Sequence, residues 1–218
     1  MASVFHLIVF DLDGTLVDSR RDIADSANAL LVAYGAPPLE EQAIGRMVGD
    51  GAATLVARAF AAAAVAPPHD ALDRFLAIYD GRLLNHTRPY EGIPEVLGAL
   101  GARTPLALLT NKPLNQTRRI LDGLDLARHF PFDAVVGGDG PFRRKPDPAG
   151  LQHLLAQVGA VGTNSLLVGD SPIDRRTAMS AATRICLARY GFGFERFPID
   201  ELGPEEWLVD TPAELLRL

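Results

Sequence analysis

The chain has 218 residues, 48% of them hydrophobic and 22% charged, an ordinary globular composition with enough apolar content for a substantial core. A formal net charge of −6 and a pI near 5.3 exclude a general affinity for nucleic acid or for an anionic membrane surface. No apolar run approaches the ~18–20 residues that span a bilayer, and the single cysteine, Cys186, leaves no internal disulfide framework.

"LIVF" (7–10) is short, continuously apolar and β-rich, and predicts a strand buried on both faces. The N-terminal stretch has no basic region, and its apolar run ends in acid, so no export signal is expected and a cytoplasmic location is. Residues 20–34 place Ile23, Ala27, Leu30, Leu31 and Tyr34 at helical spacing, with Ser19 as the expected N-cap and Gly35 as the stop. Helical patterns follow near 39–48, 52–65 and 70–85, and no strand is expected between 17 and 87. The pattern then changes. Short apolar runs at 105–110, 132–138, 165–170 and 184–188 alternate with helical segments near 93–101, 113–123, 148–158 and 172–182. That alternation predicts a Rossmann-like α/β core with a parallel sheet, formed by residues 1–16 and 88–218, with an all-helical cap (17–87) inserted after the first strand. Cys186, in "RICLA", reads as a buried structural thiol.

Ligands of open α/β sheets bind beyond the carboxyl ends of the strands, so the residues following each strand carry the information. They are "DLDGT" (11–15), "TNKP" (110–113), "RRKPDP" (143–148) and "GDSPID" (169–174). Singly, each has a plain alternative: an acidic turn, a helix cap, a solvated charge run, a loop. Jointly they place Asp11, Asp13, Thr110, Lys145, Asp170 and Asp174 at ends that converge in such a fold. Two carboxylates one residue apart, Asp11 and Asp13, repel one another unless a cation, a positive side chain or a retained proton offsets the cost.

In order and position, these four segments resemble the motifs of the haloacid-dehalogenase-like hydrolases. With "PYEGIPEVLGAL" they resemble the subgroup that contains bacterial phosphoglycolate phosphatases. One departure is Ala182-Thr183, where relatives often carry Ala-Gly and so have a glycine to end the helix. The resemblance implies a Mg²⁺-dependent phosphomonoesterase working through an aspartyl-phosphate. In it Asp11 is the nucleophile, ionised at pH 7 with an unperturbed pKa near ~3.9, and Asp13 is the general acid and then base. Asp11, Asp170 and the main-chain carbonyl of Asp13 hold Mg²⁺, and Asp174 steers a metal-bound water or Lys145. Thr110, the backbone N–H of Asn111, and Lys145 bind phosphoryl oxygens. Four acids against Lys145 leave this set at −3, and a divalent cation brings it to −1.

Recognition of the rest of the substrate is expected from the insert, at the turn "VGDG" (48–51), with Gly49, Asp50 and Gly51 as substrate-binding residues and the two glycines letting backbone N–H groups approach a small ligand's carboxylate. Arg46 and Arg58 flank that turn as the nearest cations in sequence, and one of them is expected to reach the substrate; the plain alternative is an ordinary helix connection with solvated arginines. The only lysines are Lys112 and Lys145, so the insert lacks the Schiff-base lysine of the family's phosphonatase branch, and Asp13 distinguishes the chain from the dehalogenase branch. His6, His69, His86, His129 and His153 show no ligand spacing, and Trp207 reads as packing. The expected partner is a small phosphorylated metabolite, first 2-phosphoglycolate, with a sugar phosphate, nucleotide or pyrophosphate as alternatives. No nucleic acid or membrane partner is expected, and the chain is expected to be a monomer or homodimer. A phosphomutase and a non-catalytic phosphometabolite-binding protein remain open on the same scaffold.

Overall fold

The computed structural model describes residues 5–203 and 206–217, so the first four residues assigned to the core from sequence lie outside the described residues. β1 (Leu7–Phe10) forms as expected, with all four side chains buried. Leu7 and Val9 enter one hydrophobic cluster while Ile8 and Phe10 enter another, as the two-residue period of a doubly covered strand demands.

The chain next forms β2 (Val17–Asp18), α1 (Arg20–Ala33), α2 (Glu41–Gly45), α3 (Ala52–Ala62), α4 (Ala71–Asp80) and β3 (Arg88–Pro89). β2 and β3 pair antiparallel, Val17 opposite Pro89, which corrects the expectation of no strand near this boundary. A two-residue rung is too short for periodicity to reveal. Ser19 does precede α1, but its side chain does not cap the helix; its hydroxyl donates instead to Asp13 Oδ1 at 2.5 Å. Buried Asp22, in the first turn of α1, accepts hydrogen bonds from the backbone N–H groups of His86 and Thr87 and from the Thr87 hydroxyl. That carboxylate fastens the start of the helical segment to the chain returning from it.

The remaining elements are α5 (Ile93–Gly101), β4 (Leu106–Leu109), α6 (Leu114–Gly123), β5 (Val135–Val136), α7 (Ala149–Gln157), β6 (Ser165–Gly169), α8 (Pro172–Ser180), β7 (Arg184–Ala188) and β8 (Trp207–Val209). Among the described residues, six strands form one parallel sheet in the order β5-β4-β1-β6-β7-β8. From β1 the chain builds outward through β4 and β5, then crosses to build β6, β7 and β8 on the other side. β1 is therefore the strand at which the winding reverses, and the crevice at its carboxyl end is where such folds bind ligands. Ile93, Val96, Leu97 and Leu100 of α5 cover one face, and Leu151, Leu154 and Leu155 of α7 the other. No helix among the described residues is long and apolar enough to cross a membrane.

β8 is the element the sequence pattern does not announce. Trp207 begins it and packs edge-on against Phe5 with ring centroids 5.4 Å apart. Cys186 is fully buried in β7, and burial pushes its thiol up to about 12, which suits a structural thiol. After α8, Ala182 itself takes the left-handed conformation, φ +49°, that a glycine usually supplies. The N–H of Thr183 reaches Ala178 O at 2.8 Å and that of Ala182 reaches Met179 O at 3.1 Å, closing a Schellman motif without glycine.

Candidate active site

Ladder hydrogen bonds extend one residue past the strands and hold the site's backbone. Asp11 N–H donates to Val168 O at 2.9 Å and Thr110 N–H to Val136 O at 3.0 Å. Lys145, from the loop before α7, brings Nζ to 2.8 Å from Asp11 Oδ1 and 2.6 Å from Asp174 Oδ1. The other oxygen of Asp174 accepts from Ser171 N–H at 3.1 Å and Ser171 Oγ at 2.6 Å, within the capping box that starts α8. Both Asp174 oxygens are thus committed, one to orienting Lys145 and one to the helix. Asp11 Oδ2, by contrast, accepts no hydrogen bond among the described residues.

Asp170 is buried where a side chain would not otherwise fit. A Cβ at Gly14 would stand 1.8 Å from its Oδ2, and Cβ atoms at Gly191 and Gly193 would come within 2.6 and 2.7 Å of the same oxygen. Three glycines from two loops make the cradle, and Gly193 N–H donates into it at 2.7 Å. Carboxylate oxygens of Asp11, Asp170 and Asp174 lie within 4.8 Å of one another. An all-oxygen, acidic donor set suits a hard divalent cation such as magnesium, calcium or manganese rather than a thiophilic metal.

The charges are tightly balanced. Burial, opposed by Lys145 and reinforced by Asp174, pushes Asp11 up to about 7, so the unperturbed value expected from sequence does not describe this carboxyl. Burial together with Asp174 and Asp11 likewise raises Asp170 well above the usual carboxylate range. A bound cation would favour the ionised form of both. Burial disfavours the Lys145 ammonium, but Asp11 and Asp174 outweigh it and hold the lysine above its ordinary value.

Sequence reasoning gave Lys112 no role in the site. The structure sets its Nζ 3.2 Å from Asp13 Oδ2 and 2.5 Å from the hydroxyl of Tyr79 on α4. With Lys112 counted, the six charged groups sum to −2, not −3, and a divalent cation would neutralise them. The signal was available: Lys112 directly follows a strand-end Thr-Asn and is one of two lysines in the chain.

Thr110 is buried at the end of β4, and its hydroxyl accepts from Lys112 N–H at 3.2 Å. Asn111 Nδ2 donates to Gly49 O at 2.8 Å and to Lys145 O at 2.9 Å, linking the turn between α2 and α3 to the lysine loop. Gly49 and Gly51 line the cleft over Asp11 and Asp13 at φ +119° and +89°, but Asp50 does not. The Asp50 carboxylate is held by Arg58 at 2.5 Å, and Arg46 is exposed, so neither arginine flanking the turn lines the cleft. Arg196, after β7, does line it and donates to Val48 O at 2.6 Å. Among the described residues, no histidine lines the cleft.

Comparison with known proteins gives this geometry a family. The model of haloacid dehalogenase-like hydrolases matches residues 8–188. A phosphoglycolate phosphatase of Rhodospirillum rubrum is 44% identical, over 90% of this chain and 83% of its own. An N-acetylmuramic acid 6-phosphate phosphatase of Pseudomonas aeruginosa is 34% identical, over 96% and 92% of the two chains. The crystal structure of a predicted phosphoglycolate phosphatase from Haemophilus somnus superposes with a TM-score of 0.90 at 32% identity, covering 99% of this chain and 98% of that one. Sequence and fold agree over nearly the whole length, and the chain belongs to the haloacid dehalogenase-like hydrolases.

Proposed function

We propose that this phosphatase hydrolyses 2-phosphoglycolate with Mg²⁺, through a phosphoryl group carried on Asp11. The observation that carries the reading is Asp11 itself. It sits at the strand where the winding reverses, with one oxygen held by Lys145 and the other without a protein donor at the cleft. A free carboxylate oxygen beside a fixed ammonium is suited to in-line attack on phosphorus.

In the first half-reaction Asp11 Oδ2 forms the bond to phosphorus as the ester P–O bond breaks, and Asp13 gives its proton to the departing glycolate oxygen. In the second, Asp13 takes a proton from water, the water oxygen bonds to phosphorus, and the bond to Asp11 breaks, releasing phosphate. Lys145 and the Thr110 hydroxyl, with the backbone N–H of Asn111, stabilise the oxygens of the transferring group. Ser19 and Lys112 fix the Asp13 carboxyl for both proton transfers. Asp11, Asp170 and the main-chain carbonyl of Asp13 would hold Mg²⁺, with Asp174 acting through Lys145. When bound, the ion supplies charge neutralisation for the incoming phosphate.

Residues 17–87 act in this reading as a cap over the 1–16 and 88–218 core, with the Gly49–Gly51 turn closing over the substrate. Several curated relatives named phosphoglycolate phosphatase support the substrate. The 34% identical N-acetylmuramic acid 6-phosphate phosphatase supports a second reading, a larger sugar phosphate. The test is kcat/KM over a panel of phosphate esters with Mg²⁺. 2-Phosphoglycolate should exceed N-acetylmuramic acid 6-phosphate, hexose phosphates and pyrophosphate by at least about tenfold. One of these at the top would overturn the substrate, and sugar phosphate interconversion without phosphate release would indicate a mutase.

A further inference from the structure

Among the described residues, two cationic side chains line the cleft over Asp11, Lys112 and Arg196. Lys112 is occupied by Asp13 and Tyr79. Arg196 has no carboxylate partner among the described residues. One terminal nitrogen donates to Val48 O at 2.6 Å, while its Nε is buried with no hydrogen-bond partner. Burial pushes the guanidinium below its ordinary value, with Asp50 opposing at longer range. A buried N–H without an acceptor is costly, and an unmatched guanidinium in a chain of net charge −6 more so.

The surroundings narrow what could complete it. A Cβ at Gly49 would stand 3.3 Å from the Arg196 terminal nitrogen, so the glycine keeps open the space beside the guanidinium. Beyond the groups around Asp11 and Asp13, the cleft is lined by Ile23, Leu55, Phe75, Leu76 and Phe192, apolar side chains that offer sugar hydroxyls no partners. A planar fork with free N–H capacity matches a carboxylate.

We infer that Arg196, a residue of the segment after β7, binds a carboxylate on the substrate and sets the preference for small carboxylated phosphomonoesters. This rests on the phosphatase reading of the same site and moves anion recognition from the helical segment's arginines to the sheet-bearing part of the chain. Arg58 cannot serve while Asp50 holds it. The Val48 contact gives Arg196 a second use, positioning the glycine turn, and the test must separate the two.

Kinetic constants should be measured for 2-phosphoglycolate, 3-phosphoglycerate and 2-hydroxyethyl phosphate, which exchanges the carboxylate for an alcohol, with wild type, Arg196→Gln and Arg196→Lys. Wild type should favour the carboxylated esters. Arg196→Gln should lower kcat/KM on them at least about thirtyfold more than on 2-hydroxyethyl phosphate, with the loss mainly in KM, and Arg196→Lys should recover part of it. Equal losses on all three esters would overturn the inference, leaving Arg196 a support for the turn. A wild type indifferent to the carboxylate would overturn it as well. A wild type that hydrolyses 3-phosphoglycerate but not 2-phosphoglycolate would overturn the named substrate alone, and the selective loss would still report on Arg196.

Discussion

Lys112 Nζ lies 3.2 Å from Asp13 Oδ2, and both side chains are largely withdrawn from water. Burial disfavours the Lys112 ammonium, yet Asp13 and Tyr79 outweigh it and raise the lysine above its ordinary value. Burial also pushes Tyr79 up to about 12, so it stays a neutral phenol that accepts from Lys112. The pair therefore ties Asp13 to α4 through a permanent cation.

Lys112→Met should lower kcat about 10- to 100-fold on every ester, carboxylated or not, with little change in KM. Its signature is the opposite of that expected for Arg196→Gln. Steady-state kinetics on 2-phosphoglycolate and 2-hydroxyethyl phosphate check this. A loss confined to one ester, or below about threefold, would remove Lys112 from the positioning of Asp13.

Gly193→Ala should weaken divalent-cation binding by at least about tenfold while leaving the fold intact. The added Cβ would stand 2.7 Å from Asp170 Oδ2 and 3.0 Å from its Cγ, forcing the carboxylate to shift. Gly193 has no positive φ, so backbone strain does not confuse the result. Calorimetric titration with Mg²⁺, beside a melting curve in its absence, reads both terms. Unchanged affinity would mean that Asp170 is not a ligand.

Acid groups whose folded pKa lies above the unfolded value bind more protons when folded, so stability falls as pH rises between the two values. Asp11, raised from 3.8 to about 7, and Asp170, raised in the same direction, act this way. Without metal, Tm should fall as pH is raised from about 5 to about 7.5. Saturating Mg²⁺ should offset this by favouring the ionised forms, so the Mg²⁺-induced rise in Tm should grow with pH. Scanning calorimetry across that range checks it. A Mg²⁺ shift independent of pH would contradict the assignment of these carboxylates.

Ala182→Gly should stabilise the protein by about 1 kcal/mol, because a left-handed conformation strains an L-residue with a Cβ and not glycine. The Schellman hydrogen bonds at Thr183 and Ala182 are already formed, so the substitution relieves strain without rebuilding contacts. Urea denaturation of both proteins measures it. No gain would mean that the helix end relaxes freely.

How much of this was legible beforehand depended on how local the signal was. β1, β4, β6 and β7 and the helices between them are each written in a contiguous apolar run or a helical period. The acids and Lys145 could be placed because each follows or precedes such an element. β5 shrank to Val135–Val136 because Phe132–Ala134 forms a 3₁₀ turn, and the β2–β3 rung is two residues long. Neither length carries periodicity. Arg196 was missed because strand-end logic stopped at β6; applied after β7, it would have reached "RYGFGFER", whose Gly191 and Gly193 cradle Asp170 and whose arginine faces the cleft. Arg58 could be read from sequence as near the turn, but not as spent on Asp50.

The central claim is that phosphorus passes through Asp11, and its stereochemistry tests this most directly. A thiophosphate analogue of 2-phosphoglycolate, with sulfur in place of one phosphoryl oxygen and two different oxygen isotopes on phosphorus, should be hydrolysed in water labelled with the third isotope, and the configuration of the released inorganic thiophosphate determined. Two successive in-line displacements, first by Asp11 and then by water, each invert phosphorus, so the account predicts net retention. Net inversion would show a single direct attack by water and would contradict it.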